Sequence, residues 1–202
     1  MEKALRLDPE SWDVNKEAAR VRFRQRRIAD AAQLLEKAVS LVEGDVHAWA
    51  RLVTCYNALG QRAASKAAAE GTIAQAEKVL GQDPSNGATM SFGALACAAL
   101  GQFDRAREWM DRGLLIDPDN ALMRYHLAGM LATYLDDKPR ALRLLERNLP
   151  TVSAFHITLA ETEPDFDALR DEPKFQVLLD RARKRLGIDQ PVAEAALAQV
   201  SP

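Results

Sequence analysis

The sequence contains few of the residues that interrupt helices. Only nine prolines and ten glycines occur among its 202 residues. A β fold with many tight turns uses both residue types more freely, because glycine adopts positive φ and proline fixes the chain at turns. Hydrophobic residues make up 48% of the chain and charged residues 28%, the composition of a globular protein with a core. The sequence therefore favours long helices over a many-turned β fold.

The chain also lacks a strong charge of either sign and a long apolar run. Its formal net charge is −2, so no general attraction to nucleic acid or to an anionic membrane is expected. No apolar stretch approaches the length of a membrane span, and residues 1–10 contain no apolar signal-peptide core. The two cysteines, Cys55 and Cys97, lie within apolar helical patterns and are typical of small buried side chains. This usage fits a reducing cytoplasm.

Residues that carry catalysis or bind metals are sparse and scattered. The histidines His47, His126 and His156 lie far apart and form no His-x₃-His or Glu-x-x-His pair. The sequence shows no glycine-rich phosphate loop, nucleophile elbow or kinase signature. We therefore expect no catalytic residues, no metal and no cofactor, and we do not expect an enzyme.

What the chain does contain is a two-helix unit from Gly87 to Asn120. Its first half carries small and apolar residues at three- and four-residue spacing, as on one face of a helix. Gly101 then supplies the positive φ that a helix end needs, and Pro118 stops the second helix. Neither helix is long enough to be stable alone in water. Each has to pack against neighbours, so the unit is expected to repeat.

The unit does repeat, and its register resembles the tetratricopeptide (TPR) family. Pro84 and Pro118 are 34 residues apart, which is the period of that family. In the same register the small positions of the family fall on Ala94 and Ala106, and its turn glycine falls on Gly101. The resemblance implies an all-α fold, a superhelix of helix–turn–helix pairs. A capping helix is predicted at its C-terminal end, because a repeat array needs a terminal unit with one polar face.

The register also divides the chain. Residues 1–11 match the end of a second helix, which indicates a truncated repeat and a fragment of a longer protein. One unit is seven residues too long, and its second helix, about Arg62 to Leu80, is expected to absorb the excess as two extra turns. The predicted divisions are the truncated repeat at 1–11, repeats at 12–45, 46–86 (the long unit), 87–120 and 121–150, a closing segment with the capping helix at 151–187, and a tail at 188–202.

The second half of the chain resembles a narrower group. The stretches that carry the resemblance are DPSN at 83–86, LGQFDRAREWMDRGLLIDPDN at 100–120, RYHLAGMLA at 124–132 and EPDFDALRDEPKFQVLL at 163–179. Their succession is similar to the C-terminal TPR region of bacterial class III adenylate/guanylate cyclases, some serine/threonine kinases and some winged-helix regulators. The resemblance implies the regulatory or partner-binding module of a multidomain signalling protein. It carries over no catalytic residue, because no cyclase or kinase catalytic sequence lies within the chain.

The stretch from Glu161 to Glu172, called the acidic run below, holds six acidic residues and one basic residue. Like charges repel one another and attract water, so such a run is usually solvated. We expect a solvated turn that caps a helix, with metal binding as the alternative.

Four basic residues are the one feature that suggests a binding site. Lys16, Arg20, Arg24 and Arg27 are spaced by 4, 4 and 3 residues, which predicts that they share one face of the first helix of their unit. The family register implies that the first three line a concave groove. They form either a subsite for an acidic peptide or a solvated face. The predicted peptide-binding groove consists of Lys16, Arg20, Arg24, Arg27, His47, Asn57, Ser91 and Tyr125.

Two functions stay open at this point. The first is a protein-interaction scaffold that binds an acidic peptide segment or an adjoining domain in its groove. The second is a self-assembly module, a homo-oligomer in which repeats stack between copies and no separate ligand exists. Neither function involves nucleic acid or a membrane.

Overall fold

The computed structural model describes residues 2–188, apart from the side chain of Phe155. Met1 and residues 189–202 lie outside the described residues, and with them all of the predicted tail except Ile188. Within residues 2–188 no β-strand occurs, so the predicted all-α class is confirmed. The helices are α1 Glu2–Leu7, α2 Trp12–Arg24, α3 Ile28–Leu41, α4 Val46–Ala58, α5 Arg62–Gln82, α6 Gly87–Ala99, α7 Phe103–Ile116, α8 Ala121–Tyr134, α9 Lys138–Asn148, α10 Ala154–Thr162, a 3₁₀ helix Pro164–Leu169, and α11 Pro173–Arg185.

Five of these helices begin at a side chain that caps them, and one of the caps is Asp137, which accepts from the N–H of Arg140 at the start of α9. Ser11, Asp45, Asn86 and Asn120 each accept a hydrogen bond from the backbone N–H three residues later, at distances of 3.3, 3.0, 3.0 and 2.9 Å respectively. Such a cap satisfies one of the unpaired N–H groups of the first turn and stabilises a helix by about 1 kcal/mol. The caps therefore define where α2, α4, α6, α8 and α9 start.

The first three of these helices, α2, α4 and α6, each end in a tight turn that contains one residue with positive φ. Gly60 and Gly101 adopt φ values of +69° and +74° after α4 and α6, a conformation that carries no steric penalty for glycine. The turn after α2 uses Arg26 at +58°, where a residue with a Cβ is disfavoured by about 1–2 kcal/mol. The contacts of the Arg26 side chain, described below, compensate for this penalty.

The long second helix is unbroken. α5 contains 21 residues, whereas α3 and α7 contain 14 each. Gly71 lies where α5 crosses Trp49 of α4, and a Cβ on Gly71 would lie 2.9 Å from Cε3 of that ring. The glycine therefore permits a close approach of α4 and α5.

After α9 the chain turns back over the helix pairs. α10 is a helix that the sequence analysis did not predict. It packs against α2, and the 3₁₀ helix packs against α4 and α8. α11 covers α9 and α10 with buried apolar side chains, among them Phe175 and Leu179. Residues 154–185 thus cover α9 and also reach back to α2.

The 3₁₀ helix belongs to the main core. Its Phe166 is fully buried, with ring centroids 4.9 Å from Tyr125 of α8 and 6.0 Å from Phe175 of α11. Buried aromatic pairs at these distances contribute about 0.5–1.5 kcal/mol beyond the area they bury. The segment is therefore anchored by packing as well as by its polar contacts.

Candidate functional site: the inner groove

The first helices of the repeats form a surface that the acidic run covers. α4, α6 and α8 lie side by side, α2 borders α4 across a small cavity, and the face of these four helices toward the acidic run is called the inner groove. Within the run, Glu163 is 1% exposed and Asp165 is 7% exposed. The prediction of a solvated turn is therefore wrong for these two residues. The run has a buried face because Phe166, between the acids, anchors it in the core.

Glu163 is held by two helices of the groove. Its Oε1 lies 2.6 Å from Nη1 of Arg51 on α4, and its Oε2 accepts a hydrogen bond of 2.7 Å from the hydroxyl of Tyr125 on α8. A buried carboxylate is tolerated when its charge is paired and its lone pairs are satisfied. Burial, and then the charge of Glu163, raises the pKa of Tyr125, so the phenol keeps the proton that it donates.

Asp165 lies beside Glu163 without a cation of its own. Its Oδ2 accepts a hydrogen bond of 3.2 Å from Thr54, and its backbone carbonyl accepts one of 3.0 Å from Thr133. Gly129 leaves room for it, because a Cβ on that glycine would lie 3.0 Å from Cβ of Asp165. Burial, and then the charge of Glu163, raises the pKa of Asp165 to about 7. Part of the population therefore carries a neutral Asp165 at neutral pH.

Arg26 ties the first repeat to the acidic run. Its guanidinium donates to the carbonyl of Thr162 at 2.8 Å and to the carboxylate of Asp167. Although burial acts in the opposite direction, hydrogen bonds from Arg26 and Arg170 hold the pKa of Asp167 below its ordinary value. These contacts explain why an arginine occupies a turn position at positive φ.

The structure does not bring the predicted groove residues of α4, α6 and α8 into one open channel. Tyr125 is buried against Glu163, and Ser91 is fully buried with its hydroxyl bonded to the carbonyl of Ala88. The ring of His47 stacks on that of Phe92 with centroids 5.1 Å apart. Asn57 is exposed and lines a different cavity, at the turns.

The four basic residues Lys16, Arg20, Arg24 and Arg27 are also divided between two elements. α2 ends at Arg24, and Arg27 precedes the first residue of α3, so the prediction that all four residues share the first helix is wrong. The positive φ of Arg26 turns the chain between them. Arg27 pairs with Asp30 in its own helix pair. Lys16 lies 2.7 Å from Asp45, and Arg20 lies 2.5 Å from Glu17.

A cavity of about 190 Å³ opens between α2, α4 and α10 at one end of the inner groove. Burial, and then the charges of Arg51 and Lys16, lowers the pKa of His47 to about 3, so this ring is neutral at neutral pH. The positive charge of the cavity comes from lysine and arginine, which can pair with an acidic side chain that enters. The lining comprises Lys16, Arg20 and Arg51 with their partners Glu17 and Glu163, His47, and the apolar residues Ala19, Phe23, Leu35, Ala48 and Leu159.

Sequence reasoning missed Arg26 and Arg51, two of the cations that bind the acidic run. The ends of the run are bound by two others, Arg183 at Glu161 and Lys138 at Glu172. Arg26 carried a signal, because it stands where the family register has glycine. Arg51 carried a weaker one, as a lone arginine between the apolar residues of α4. Neither signal identifies the carboxylate partner, which lies more than a hundred residues later in the chain.

Two classes of site have no candidate within residues 2–188. Those residues contain no group of three or more His, Cys, Asp or Glu side chains placed to hold a metal ion. None of their helices combines the length and apolar character needed to cross a membrane.

Residues 67–129, from within α5 to within α8, match the family model described as Tetratricopeptide repeat. This part of the chain, from α5 to α8, is therefore similar to tetratricopeptide repeats. The small positions Ala94 and Ala106 and the turn at Gly101 lie inside the matched residues. No curated protein sequence matches this chain.

Solved structures similar to this chain include two kinds of protein. MamA is 17% identical over 73% of this chain and 82% of its own, with a TM-score of 0.45. A Podosopora anserina putative kinesin light chain with nearly identical TPR-like repeats is 22% identical over 94% of this chain and 99% of its own, with a TM-score of 0.45. A second crystal structure of that kinesin light chain is 22% identical over 88% and 95%, with a TM-score of 0.46. At these values the likeness adds nothing about function.

Proposed function

We propose that this chain is a protein-interaction scaffold that binds an acidic segment of a partner at the open end of its inner groove, beside Lys16 and Arg20. One observation carries the proposal: the same groove already holds an acidic segment, the chain's own acidic run, through Arg51 and Arg26. TPR repeats are interaction scaffolds and their fold is typically non-catalytic. The proposal therefore assigns recognition and no reaction.

The side chains at the open end suit exchange with a partner's carboxylates. Arg20 pairs with Glu17 three residues away, and both side chains are about half exposed, at 50% and 44%. Such surface pairs contribute only about 0.2–1 kcal/mol, so a partner carboxylate can replace Glu17 with little loss of free energy. Lys16 lies at the same mouth, 4.6 Å from the ring centroid of Trp12. The apolar floor accommodates the methylenes or side chain next to the acid.

The test uses a labelled peptide of sequence EPDFDAL, which copies residues 163–169. Fluorescence anisotropy with the wild-type chain is compared with a variant that carries Lys16→Gln and Arg20→Glu. We expect binding to weaken several-fold and to lose much of its salt dependence, because two cations are removed. A matched control, Lys78→Glu with Arg107→Glu, changes two exposed cations outside the groove. Equal loss in both variants would contradict the groove assignment.

We also propose that this scaffold is the regulatory or partner-binding module of a bacterial, cytoplasmic, multidomain signalling protein, such as an adenylate cyclase. The sequence resemblance, which covers Trp49 to about Leu186, supports this role. A regulatory effect requires that the bound partner favour one state of the catalytic domain. The test is activity of the full-length protein with and without residues 12–188. Unchanged activity, oligomeric state and partner capture after deletion would rule the role out.

Self-assembly is the second candidate, and one surface favours it. Leu115, Ile116 and Leu122, around the turn from α7 to α8, are 83%, 40% and 42% exposed. Neighbouring exposed apolar side chains of this size are typical of contact surfaces. Sedimentation over a concentration series tests it, with Leu115→Glu as the variant. A chain that is monomeric at all concentrations rules self-assembly out.

A further inference from the structure

A second cavity, along the turns, lies away from the inner groove. It has a volume of about 730 Å³, and its walls are the turn from α4 to α5, the turn from α6 to α7 and the end of α8. We call it the turn-edge cleft. This volume falls in the range of about 300–1,000 Å³ that is usual for ligand sites. No residue of the acidic run lines the cleft, and the two are linked through Thr133, a lining residue that donates to the carbonyl of Asp165.

The cleft is positively charged. Arg62 and Lys66 line it, one turn apart on α5, and no acidic residue is in its lining. Arg62 forms no ion pair with any residue between 2 and 188. The Nζ of Lys66 lies 3.9 Å from Oε1 of Glu70, the limit of an ion pair, and both side chains are largely exposed. Two neighbouring cations with so little compensation complement a segment that carries negative charge.

The cleft also has an apolar wall. Phe103, the first residue of α7, is 43% exposed and lines the cleft together with Leu100. Gly60 and Gly101 form the turns, and a Cβ on either would have no heavy atom within 4 Å. The ring of Phe103 is therefore accessible across the turns. An exposed aromatic ring next to cations suits an aromatic anchor flanked by acids.

The wall also contains uncharged polar side chains, of which Asn57 and Tyr134 bear on binding. Asn57 is exposed in the cleft, where its amide can donate to and accept from an extended backbone. The hydroxyl of Tyr134 is buried and has no hydrogen-bond partner among the described residues. Burial, and then the charge of Asp165, raises the pKa of Tyr134, so this hydroxyl keeps its proton. A buried donor left unsatisfied is disfavoured, and a carbonyl or carboxylate placed beside it removes that penalty.

We infer that the turn-edge cleft binds an acidic segment of a partner protein, whose carboxylates pair with Arg62 and Lys66 and whose aromatic side chain packs on Phe103. The inference goes beyond the groove proposal, because another surface and other cations carry it. A scaffold with both surfaces holds a partner at two points, and linked contacts of this kind strengthen weak individual ones.

The experiment measures anisotropy of the labelled peptide EPDFDAL, which offers three acids around one phenylalanine. Against the wild-type chain we compare Arg62→Glu with Lys66→Glu, and separately Phe103→Ala. We expect the charge-reversed variant to bind about tenfold more weakly, since two favourable pairs become repulsive. Phe103→Ala should weaken binding by about fivefold. All three substituted side chains are exposed, so circular dichroism should show an unchanged helix content.

The control with Lys78→Glu and Arg107→Glu should bind within about twofold of wild type. The groove variant with Lys16→Gln and Arg20→Glu separates the two proposals. Loss in the turn-edge variant alone supports this inference and contradicts the groove proposal, and loss in both supports both. Loss in the groove variant alone, or no binding by the wild type at millimolar concentration, overturns the inference. A dimer that Arg62→Glu with Lys66→Glu dissociates also overturns it, because a second copy would then be the occupant.

Discussion

Arg26 holds Asp167 by two parallel hydrogen bonds across 141 residues of sequence. Nη1 donates to Oδ1 at 2.9 Å and Nη2 donates to Oδ2 at 3.1 Å. This paired arrangement gives direction as well as attraction, which lysine cannot supply. Both side chains are nearly half exposed, so the pair acts mainly by fixing the position of the acidic run. Its energy is limited by solvent screening.

Two substitutions at Arg26 separate the side-chain contact from the backbone strain. Arg26→Gly removes the contact and also removes the strain, because glycine adopts a positive φ without a steric penalty. Arg26→Ala removes the contact and retains the strain. We therefore expect the alanine variant to be less stable than the glycine variant by about 1 kcal/mol. Urea unfolding followed by circular dichroism measures the difference. Equal midpoints for the two variants would show that the strain is not present in solution.

Packing requires glycine at position 93 of α6, although glycine is unfavourable within a helix. A Cβ there would overlap the indole ring of Trp109 on α7. We expect Gly93→Ala to destabilise the protein by about 1–3 kcal/mol, because the indole ring must move, although alanine favours a helix over glycine by about 1 kcal/mol. The control is Gly81→Ala in α5, where a Cβ meets no heavy atom within 4 Å. Its melting temperature should stay level or rise, and a fall equal to that of Gly93→Ala would contradict the packing argument.

Glu163→Gln tests the pairing of Arg51. The variant keeps the shape of the side chain but leaves a mostly buried guanidinium without its carboxylate. Breaking one side of a buried ion pair destabilises strongly, and we expect a loss of about 3 kcal/mol in the free energy of unfolding. Glu146→Gln is the control, because its pair with Lys174 is about half exposed. An effect of Glu163→Gln no larger than that of the control would place the ion pair outside the stable core.

Asp165 gives stability a pH dependence of defined sign. Its pKa is about 7 in the fold against an ordinary 3.8, so between these values the folded state holds a proton that the unfolded state has lost. The contribution of Asp165 is therefore complete below about pH 4 and is lost as the pH rises to 7. His47, with a pKa lowered to about 3, acts in the opposite direction over the same range.

The difference between wild type and Asp165→Asn cancels the contribution of His47. We expect the stability of the variant, relative to wild type, to increase from pH 4 to pH 7 and to level off above that range. Urea unfolding at a series of pH values measures it. A difference that does not change with pH would mean that Asp165 has an ordinary pKa in the folded protein.

The helix pairs can be predicted from local sequence, whereas the burial of the acidic run in the inner groove cannot. Caps such as Asp45 and Asn120, the turn at Gly101 and the stop at Pro118 act within a few residues, so a pattern in the sequence reveals them. The burial of Glu163 depends on its ion pair with Arg51, 112 positions earlier. Charge density alone predicted a solvated run, because no local pattern shows which side of it faces the core.

α10 and Asn57 show two further limits. α10 mixes threonines with apolar residues in AFHITLAET and has almost no amphipathic periodicity, since tertiary contacts cover it on several sides. Asn57 follows His47 by ten positions on α4, which corresponds to roughly 280° around a helix of 3.6 residues per turn. The two residues therefore face different cavities, although both were assigned to one groove.

The contact between the acidic run and the first repeat alters how this array can vary. In an open stack each unit touches only its neighbours, so units can be gained, lost or unfolded from one end. Here Arg26 meets Thr162 across 136 positions and Arg51 meets Glu163 across 112. Removing a middle repeat would shift these partners out of reach of each other. The contacts between the two ends therefore constrain the number of helix pairs between them.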